Sequence, residues 1–360
     1  MLSAELAMED PLTLSGSITS VGGYPVHLFN DKHFAKARSS LKIKPNFLNG
    51  FDFGDLDKTG GKSGEVLAFT ADKRYIVKSI HGREHETLLD ITEVLCNHLD
   101  QDDKLLCSFL LHFEIRTGPA AGCYFVMNNC LPVLPDSMRW TRTMDLKGCI
   151  DDKTMVADGK KVKQVHRQDG CCWFGCDIEW SCCNTPERIA YVKGKRVARD
   201  IKFVVSPEDK RYITKAIASD VDFLQNTIQT MDYSLMIGIL ECSKDQTPNL
   251  PKTHYPNQPF LTHHRDSVTA YYFGIIDYLT VWSAKKKLAH IIKCLCAPKP
   301  IATVNPTAYG IRFEEYFQDK FVALRVRRVH VLAADIFAVL PGRVRFPSQH
   351  VALFSPCSNM

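Results

Sequence analysis

The sequence contains no long apolar run and no strong excess of charge of either sign. Although 45% of its 360 residues are hydrophobic, no uninterrupted apolar stretch approaches the roughly 18 to 20 residues of a membrane span. The formal net charge is only +5, so attraction to an anionic partner must come from local patches. We therefore expect a globular protein with a sizeable core, no transmembrane helix and no nucleic-acid partner.

The chain also lacks the cysteine spacing of a disulfide framework or a zinc finger. Its 14 cysteines are irregularly placed, and the N-terminus has no charged segment followed by an apolar one, which favours reduced thiols and a cytoplasmic location. One cluster contains no CxxC pair, although His166 could add a ligand: Cys171, Cys172, Cys176, Cys182 and Cys183. The pattern favours packing thiols in a variable insert, and a zinc knuckle stays the alternative.

What the sequence does contain is a carboxylate at the start of an apolar, strand-like run. Asp232 and Ser234 directly precede Leu235–Ile239. A side chain at the end of a strand is held on a rigid element, as a catalytic base or a metal ligand requires. The alternative is a buried strand whose aspartate only caps its start.

Two further segments fit the same chemistry. Lys78 ends the apolar run Tyr75–Val77, and Asp277 follows Gly274–Ile276. Phosphoryl transfer requires a cation on the nucleotide phosphates, a carboxylate near the attacking hydroxyl and a carboxylate that holds magnesium. Taken alone, a lysine at the end of such a run is usually a solvated residue at the edge of a sheet, and an aspartate after such a run usually caps a turn. Their order along the chain favours a kinase.

A glycine-rich turn precedes the strand that carries the lysine. Residues Thr59–Glu65 leave backbone N–H groups free to face a phosphate, although such a turn alone is usually an ordinary hairpin. Apolar spacing predicts a helix over His85–Leu99, where a kinase helix would pair an acid with the lysine. The spacing does not choose among three candidates: Glu84, Glu86 and Glu93. Ser206 followed by Pro207 predicts the start of another helix.

These segments together resemble the phosphatidylinositol phosphate kinase family, from roughly Val26 to Phe317. The motifs that carry the resemblance are Ser63-Gly64 with Val77-Lys78, Asp145-Leu146-Lys147-Gly148 (DLKG), Met231–Leu235 (MDYSL), Ile275-Ile276-Asp277 (IID), and Asn305-Pro306 with Tyr309 and Arg312-Phe313. Cys149 stands where the family has serine, which removes a hydroxyl contact there. The motifs HRD and DFG are absent, which disfavours an ordinary protein kinase.

The resemblance implies an α+β, two-lobed, kinase-like fold with an antiparallel sheet in each lobe. It implies a flexible N-terminus over 1–24, a nucleotide-binding lobe over 25–130 and a catalytic, lipid-binding lobe over 131–318. The cysteine-rich insert occupies 160–200. The basic remainder, 319–360, has no counterpart, and its role stays open.

The resemblance also assigns roles to individual residues. It implies catalytic roles for Asp232, Lys78 and Lys147, with Asp277 as the Mg²⁺ ligand. It implies ATP contacts at Ser63, Gly64, Lys78, Met127, Asn128, Asn129, Met236 and Ile276. The expected reaction transfers the γ-phosphate of ATP to a phosphatidylinositol monophosphate and gives phosphatidylinositol 4,5-bisphosphate.

A basic amphipathic segment follows Asp277. Apolar residues share one helical face over Trp282–Leu295, and lysines cluster at one end, as suits an anionic interface. By resemblance the candidates for membrane and substrate contact are Lys285, Lys286, Lys287, Ala289 and His290. We therefore expect a peripheral protein at the cytoplasmic face of membranes, with a phosphoinositide lipid as partner and a homodimer suggested by the family.

The sequence leaves alternatives open for the lipid substrate and for the type of activity. In the family, glutamate before this histidine accompanies 4-phosphate 5-kinases and alanine accompanies 5-phosphate 4-kinases, so Ala289 and the sequence Thr303–Pro306 favour the latter. The alternatives are a 4-phosphate 5-kinase, a catalytically weak phosphoinositide-binding scaffold, a kinase of soluble inositol phosphates and a protein kinase.

Overall fold

The computed structural model describes residues 18–55, 66–165, 185–252, 259–284, 286–290 and 303–324. The strands are β1 Ser20–Val21, β2 Tyr24–Pro25, β3 His27–Leu28, β4 Leu67–Phe69, β5 Tyr75–Ile80, β6 Phe109–Ile115, β7 Gly122–Asn128, β8 Arg142–Leu146, β9 Lys153–Ala157, β10 Lys160–Lys161, β11 Phe203–Val205, β12 Ser234–Ser243, β13 Phe260–His263, β14 Ser267–Ile276 and β15 Phe321–Ala323. The α-helices are α1 Asp31–Ser40, α2 Gly82–Leu99, α3 Pro186–Asp200, α4 Pro207–Asp222 and α5 Pro306–Lys320. None of these described helices has the length and apolar character needed to cross a membrane.

The first large sheet has five antiparallel strands in the order β3-β6-β7-β5-β4. Successive side chains of a strand point to opposite faces. In β5, Tyr75 and Val77 therefore pack into a core on one face of this sheet. Ile76 and Ile80 lie on the other face, within a larger core that also includes residues of the second sheet. Lys78 shares this second face with Ile76 and Ile80, so the sheet directs it toward the second sheet.

The second large sheet has six antiparallel strands in the order β10-β9-β8-β12-β14-β13. Its centre is the long pairing of β12 with β14, in which Ser234 lies opposite Ile276 and Ser243 opposite Ser267. Gly238 and Gly274 permit close packing over these strands. A Cβ atom at Gly274 would lie only 2.5 Å from the Cβ atom of Cys130.

Helix α4 begins where the sequence indicates, and α2 begins three residues before the predicted range. The Ser206 hydroxyl accepts a hydrogen bond from the Asp209 backbone N–H at 3.0 Å, which confirms the predicted start of α4. The predicted helix over His85–Leu99 is also confirmed, since α2 spans Gly82–Leu99 and buries Leu88 and Leu95. Val94, one of the apolar residues whose spacing predicts this helix, is 43% exposed.

A short segment before β6 joins the two sheets. Leu105 and Cys107 exchange backbone hydrogen bonds with Ile275 of β14, at 2.7 and 2.9 Å. Asp220 of α4 then accepts the backbone N–H groups of Leu105 and Leu106 at 2.6 and 2.9 Å. The mixed α and β architecture with antiparallel sheets agrees with the predicted α+β class.

The predicted boundaries differ from the structure at two points. Residues 20–25 form the β1–β2 hairpin and Val21 is buried, so this end of the predicted flexible N-terminus is folded. Part of the predicted insert, Pro186–Asp200, is helix α3, which packs on β9. The insert cysteines and His166 lie outside the described residues, as do 325–360 of the basic tail.

The buried Asp220 carboxylate yields a stability prediction. It is fully buried and also pairs with His98 at 2.7 Å, so Asp220→Ala leaves two backbone donors and an imidazole without their acceptor. We expect the free energy of unfolding, measured in urea, to fall by about 3 kcal/mol or more. The exposed neighbour Asp222 provides the control. Asp222→Ala should change the free energy of unfolding by less than about 0.5 kcal/mol. Equal losses in both variants would contradict this role of Asp220.

Candidate active site

Strand register brings three charged residues together at the ends of three neighbouring inner strands of the six-stranded sheet. Lys147 directly follows β8, Asp277 directly follows β14, and Asp232 lies two residues before β12. Because β12 is antiparallel to both β8 and β14, its start lies beside their ends. The three side chains therefore meet although they are far apart in the sequence.

Both aspartates have a left-handed backbone conformation. The φ angle is 70° at Asp232 and 59° at Asp277. This conformation is uncommon for residues other than glycine, although aspartate and asparagine tolerate it better than most. Backbone strain of this kind is typical of functional sites, where the surrounding structure maintains it.

Hydrogen bonds hold the Asp232 segment in place from both sides. The backbone N–H of Met231 donates to the Thr280 carbonyl at 2.9 Å. The hydroxyl of Tyr309, on α5, donates to the Tyr233 carbonyl. The segment is thus fixed to the chain that follows Asp277 and to a separate helix.

Lys147 binds Asp232 directly. Its Nζ lies 2.6 Å from Asp232 Oδ1 and 2.7 Å from the Asp232 carbonyl oxygen. Burial acts to lower the pKa of Lys147, but the carboxylates of Asp232 and Asp145 outweigh it, so the pKa is raised above its ordinary value. Lys147 is therefore a permanent cation beside the Asp232 carboxylate.

A buried carboxylate shapes the turn that carries Lys147. Asp152 Oδ1 accepts the backbone N–H groups of Lys147 at 2.6 Å and of Cys149 at 3.3 Å. Its Oδ2 accepts the Tyr316 hydroxyl at 2.7 Å. Gly148 in the same turn has a φ of +67°, which glycine adopts without strain.

Lys78 pairs with Asp277 across the two sheets. Its Nζ lies 2.9 Å from Asp277 Oδ1, and the Asp277 side chain is 49% exposed. The prediction that Lys78 ends its strand is wrong, because β5 continues to Ile80 through pairing with β7. Lys78 consequently lies inside a paired strand, which holds it more firmly than a strand end would.

The structure distinguishes among the three candidate glutamates of α2. Glu84 lines the same cavity as Lys78, and its carboxylate accepts the Thr280 hydroxyl at 3.2 Å. Glu86 and Glu93 are exposed to solvent. Glu84 is therefore the acid that accompanies Lys78.

A cavity of about 150 Å³ lies where these residues meet. Its lining combines charged and apolar side chains: Lys78, Glu84, Phe109, Phe125, Met127, Lys147, Asp232, Asp277, Tyr278, Leu279 and Thr280. Phe109 and Tyr278 stack at a centroid distance of 4.7 Å. An apolar wall beside convergent charges suits a ligand with a planar ring and phosphates.

Not every predicted nucleotide contact lies at this cavity. Met127 lines it, whereas Asn128, Asn129, Met236 and Ile276 do not. The buried Asn128 side chain accepts the Ser108 backbone N–H at 2.5 Å, a structural role. Asn129 donates to the Lys73 carbonyl at 2.9 Å. Ser63 and Gly64 lie outside the described residues.

Four of the five residues predicted to contact the membrane lie on a short helix after β14, which the structure describes over 286–290. Lys286 is brought to the site, with its Nζ 3.6 Å from Asp232 Oδ2. Ala289 lies on the same helix, and His290 hydrogen-bonds the Thr303 carbonyl at 2.7 Å. Lys287 is exposed, and Lys285 lies outside the described residues.

The donor set at the cavity fits magnesium. Asp277, Asp232 and Glu84 all line it, and Mg²⁺ in nucleotide sites usually takes one or two carboxylates together with phosphate oxygens. In the described part of the chain, no group of three or more histidine, cysteine, aspartate or glutamate side chains lies close enough to bind a metal unaided. Of the two aspartates that pair with Lys78 and Lys147, Asp277 has the more exposed side chain.

Sequence reasoning missed several residues of the site. Asp152 gives no local motif signal, because its role depends on a turn and on α5. Phe109, Phe125 and Tyr278 read as ordinary core residues, and only the packing of the sheets turns them toward the cavity.

Comparison with known proteins identifies the family of this chain. A sequence profile described as Phosphatidylinositol-4-phosphate 5-Kinase matches residues 56–267 and 251–320. The chain belongs to that family. The matched region contains every residue of the Lys78–Asp277 and Lys147–Asp232 pairs.

Individual relatives carry names of both enzyme types. A phosphatidylinositol 4-phosphate 5-kinase of Plasmodium falciparum (isolate 3D7) is 26% identical over 292 residues, which cover 72% of this chain and 15% of that protein. Phosphatidylinositol 5-phosphate 4-kinase type-2 gamma of Xenopus tropicalis is 24% identical over 360 residues, which cover 82% of this chain and 78% of that protein. A probable phosphatidylinositol phosphate kinase of Dictyostelium discoideum is 24% identical over 321 residues, covering 72% and 41%. The chain thus spans less than half the length of the Plasmodium and Dictyostelium relatives.

The environment of Asp152 in this kinase-family site yields a pH prediction. Burial raises the pKa of Asp152 above its ordinary value, so the folded protein binds its proton more tightly than the unfolded chain. This favourable contribution is complete below the unfolded pKa and is lost as pH rises through the folded pKa. Asp152→Asn retains acceptors for the two backbone donors and does not titrate. We expect the stability of this variant, relative to the unmodified protein, to increase as pH rises from about 4 in urea unfolding experiments. A constant difference across this range would exclude the raised pKa.

Proposed function

We propose that the chain is a lipid kinase that transfers the γ-phosphate of ATP to the inositol ring of a phosphatidylinositol monophosphate. The product would be phosphatidylinositol 4,5-bisphosphate. The observation that supports this most strongly is the meeting of Lys78, Lys147, Asp232 and Asp277 at one cavity. We further propose that the five-stranded and six-stranded sheets are the cores of the two lobes, with the nucleotide bound between them.

Each charged side chain has a distinct task in this mechanism. Lys78 binds the nucleotide phosphates, and Glu84 lies beside it on α2. Asp232 accepts a hydrogen bond from the attacking inositol hydroxyl and orients it toward the γ-phosphate. Because the transition state of phosphoryl transfer is loose, this orientation matters more than base strength. Lys147, a permanent cation, offsets the negative charge of the transferred group.

Asp277 would hold Mg²⁺. When bound, the metal ion supplies positive charge to the nucleotide phosphates. Asp277 is suited to this because its carboxylate is half exposed and anchored at the end of a buried strand. Lys78 keeps that carboxylate oriented toward the cavity through their 2.9 Å contact.

The lipid would approach from the side of the short helix after β14. Lys286 and the exposed Lys287 lie on this helix, and Leu288 exposes 61% of its surface. Exposed lysines beside an exposed apolar side chain suit the interface of an anionic bilayer. We therefore propose that the protein acts at the cytoplasmic face of a membrane.

Substrate choice is proposed from one position. Ala289 lies on the same helix as Lys286, and its resemblance to the family's alanine subgroup favours phosphatidylinositol 5-phosphate as substrate. The relatives include proteins named for each specificity, such as those of Plasmodium falciparum and Xenopus tropicalis.

Loss of either residue of the Lys78–Asp277 pair tests the kinase proposal. Liposomes with phosphatidylinositol 4-phosphate or 5-phosphate are incubated with magnesium and labelled ATP. We expect Lys78→Ala and Asp277→Ala each to reduce lipid phosphorylation at least about 100-fold. Lys78→Ala removes a cation from the nucleotide phosphates, and Asp277→Ala removes the carboxylate that would hold Mg²⁺ there. The control is Asp266→Ala, an exposed aspartate in the turn at the opposite end of β14, which should retain full activity.

The same assay separates the kinase from a binding scaffold. Folded protein that binds the liposomes but transfers no phosphate to either lipid would contradict the kinase proposal. Comparable turnover by Asp277→Ala would remove the metal assignment and leave the rest of the site in place.

Ala289 provides a separate test of specificity. We expect the unmodified protein to phosphorylate the 5-phosphate lipid in preference to the 4-phosphate lipid. Ala289→Glu should shift the ratio of kcat/KM values toward the 4-phosphate lipid by about tenfold, as one changed polar contact allows. Preference of the unmodified protein for the 4-phosphate lipid would overturn the assignment of specificity and retain the kinase.

A further inference from the structure

Both carboxylate oxygens of Asp232 bind lysine side chains. Lys147 Nζ lies 2.6 Å from Oδ1, and Lys286 Nζ lies 3.6 Å from Oδ2. The Asp232 side chain is only 25% exposed, so little of the carboxylate is open to solvent. In this state neither oxygen is free to accept a hydrogen bond from a substrate hydroxyl without sharing it with an ammonium group.

The two lysines are held in different ways. Lys147 follows a paired strand, is only 19% exposed, and sits on a turn fixed by the buried Asp152. Lys286 is 34% exposed and belongs to the short helix after β14. Of the two ion pairs, that of Lys147 is permanent, whereas that of Lys286 is longer and more accessible to water.

Local contacts direct Lys286 toward Asp232. The Ser283 hydroxyl accepts the Lys286 backbone N–H at 3.3 Å, and the Ser283 carbonyl accepts that of Lys287 at 2.9 Å. At the other end of the helix, His290 contacts the Thr303 carbonyl and packs edge-on against Trp282. The described part of the helix, 286–290, is thus attached to the chain around the site at its first and last residues and carries Lys286 over the Asp232 carboxylate.

An anionic surface would compete for the same lysine. The attraction of one lysine to an anionic bilayer is similar in strength to a partly exposed ion pair. Lys287 and Leu288 on the same helix already face solvent. Docking of this helix on the bilayer can therefore transfer Lys286 from Asp232 to lipid phosphates.

We propose that Lys286 is a positioning residue that couples binding of an anionic membrane to the availability of Asp232. Without the membrane it occupies Asp232 Oδ2 and restrains the carboxylate. On an anionic bilayer it moves to the lipid phosphates, and Oδ2 becomes free for the inositol hydroxyl. This inference rests on the proposed kinase function.

A soluble short-chain phosphatidylinositol monophosphate allows the coupling to be measured without and with a bilayer. The proteins are the unmodified chain, Lys286→Gln, Lys286→Arg and the control Lys44→Gln, which removes an exposed lysine remote from these contacts. Each is assayed alone, with phosphatidylcholine vesicles and with vesicles that also contain phosphatidylserine.

Without vesicles, we expect Lys286→Gln to raise kcat about two- to fivefold, the range of a partly exposed ion pair, with little change in KM. Lys286→Arg keeps a cation beside Asp232 and should not raise kcat, whereas the control Lys44→Gln should match the unmodified protein. Anionic vesicles should raise kcat of the unmodified protein by a similar factor, and that of Lys286→Gln much less. Neutral vesicles should raise kcat of neither the unmodified protein nor Lys286→Gln.

Two results would overturn the inference. An unchanged kcat in Lys286→Gln without vesicles would mean that the contact with Asp232 does not restrain turnover. A lower kcat would mean that Lys286 assists the transferred phosphate directly.

A chemical measurement keeps this inference separate from the kinase proposal. If the unmodified protein transfers no phosphate under any condition, the proposed function fails. The ion pair is then tested by acylation of lysines with a soluble succinimidyl ester, read by mass spectrometry of peptides. Asp232→Asn should increase the labelling rate of Lys286 about twofold or more relative to Lys44. An equal rate would exclude the pair, and with it the inference.

Discussion

The register of β12 against β14 is the constraint on which the rest of the site depends. Ser234 opposite Ile276 places the residue after one strand beside the residues before the other. A shift of one residue would exchange the side chains that pack into the separate cores on the two faces of these strands, such as Phe273 and Tyr272, so the packing fixes this register strongly. The separation of Asp232 and Asp277 is therefore set by the core, and neither side chain needs a flexible loop to reach the cavity.

The second constraint is the joint between the two sheets. Leu105–Cys107 hydrogen-bonds to β14, and the buried Asp220 accepts two backbone N–H groups of the same segment. This joint matters for the site because Lys78 belongs to one sheet and Asp277 to the other. Their 2.9 Å ion pair can form only if the sheets keep a fixed distance. A buried polar network of this kind contributes specificity of arrangement more than net stability.

Much of the fold could be predicted from local pattern. The start of α4 follows from a Ser-Pro cap, which acts within one turn of the chain, and helical spacing indicates most of α2, although that helix begins earlier, at Gly82. The features that local pattern missed depend on contacts between segments far apart in the sequence. Lys78 reads as the end of a strand, yet pairing with β7 extends that strand to Ile80. Local pattern also gives no sign that the buried Asn128 side chain binds the backbone of Ser108.

The sequence by itself determined which chemical groups are available, because Asp232, Asp277, Lys78 and Lys147 stand in ordered motifs at strand ends or within strands. It also determined family membership, since the profile match depends on residue order alone. Only the tertiary structure decided which groups meet. It selected Glu84 from three candidates, and it placed Lys147 and Lys286 on opposite oxygens of Asp232. The reason is physical: local pattern specifies the direction of a side chain on its own element, whereas distances between elements arise from sheet register and core packing.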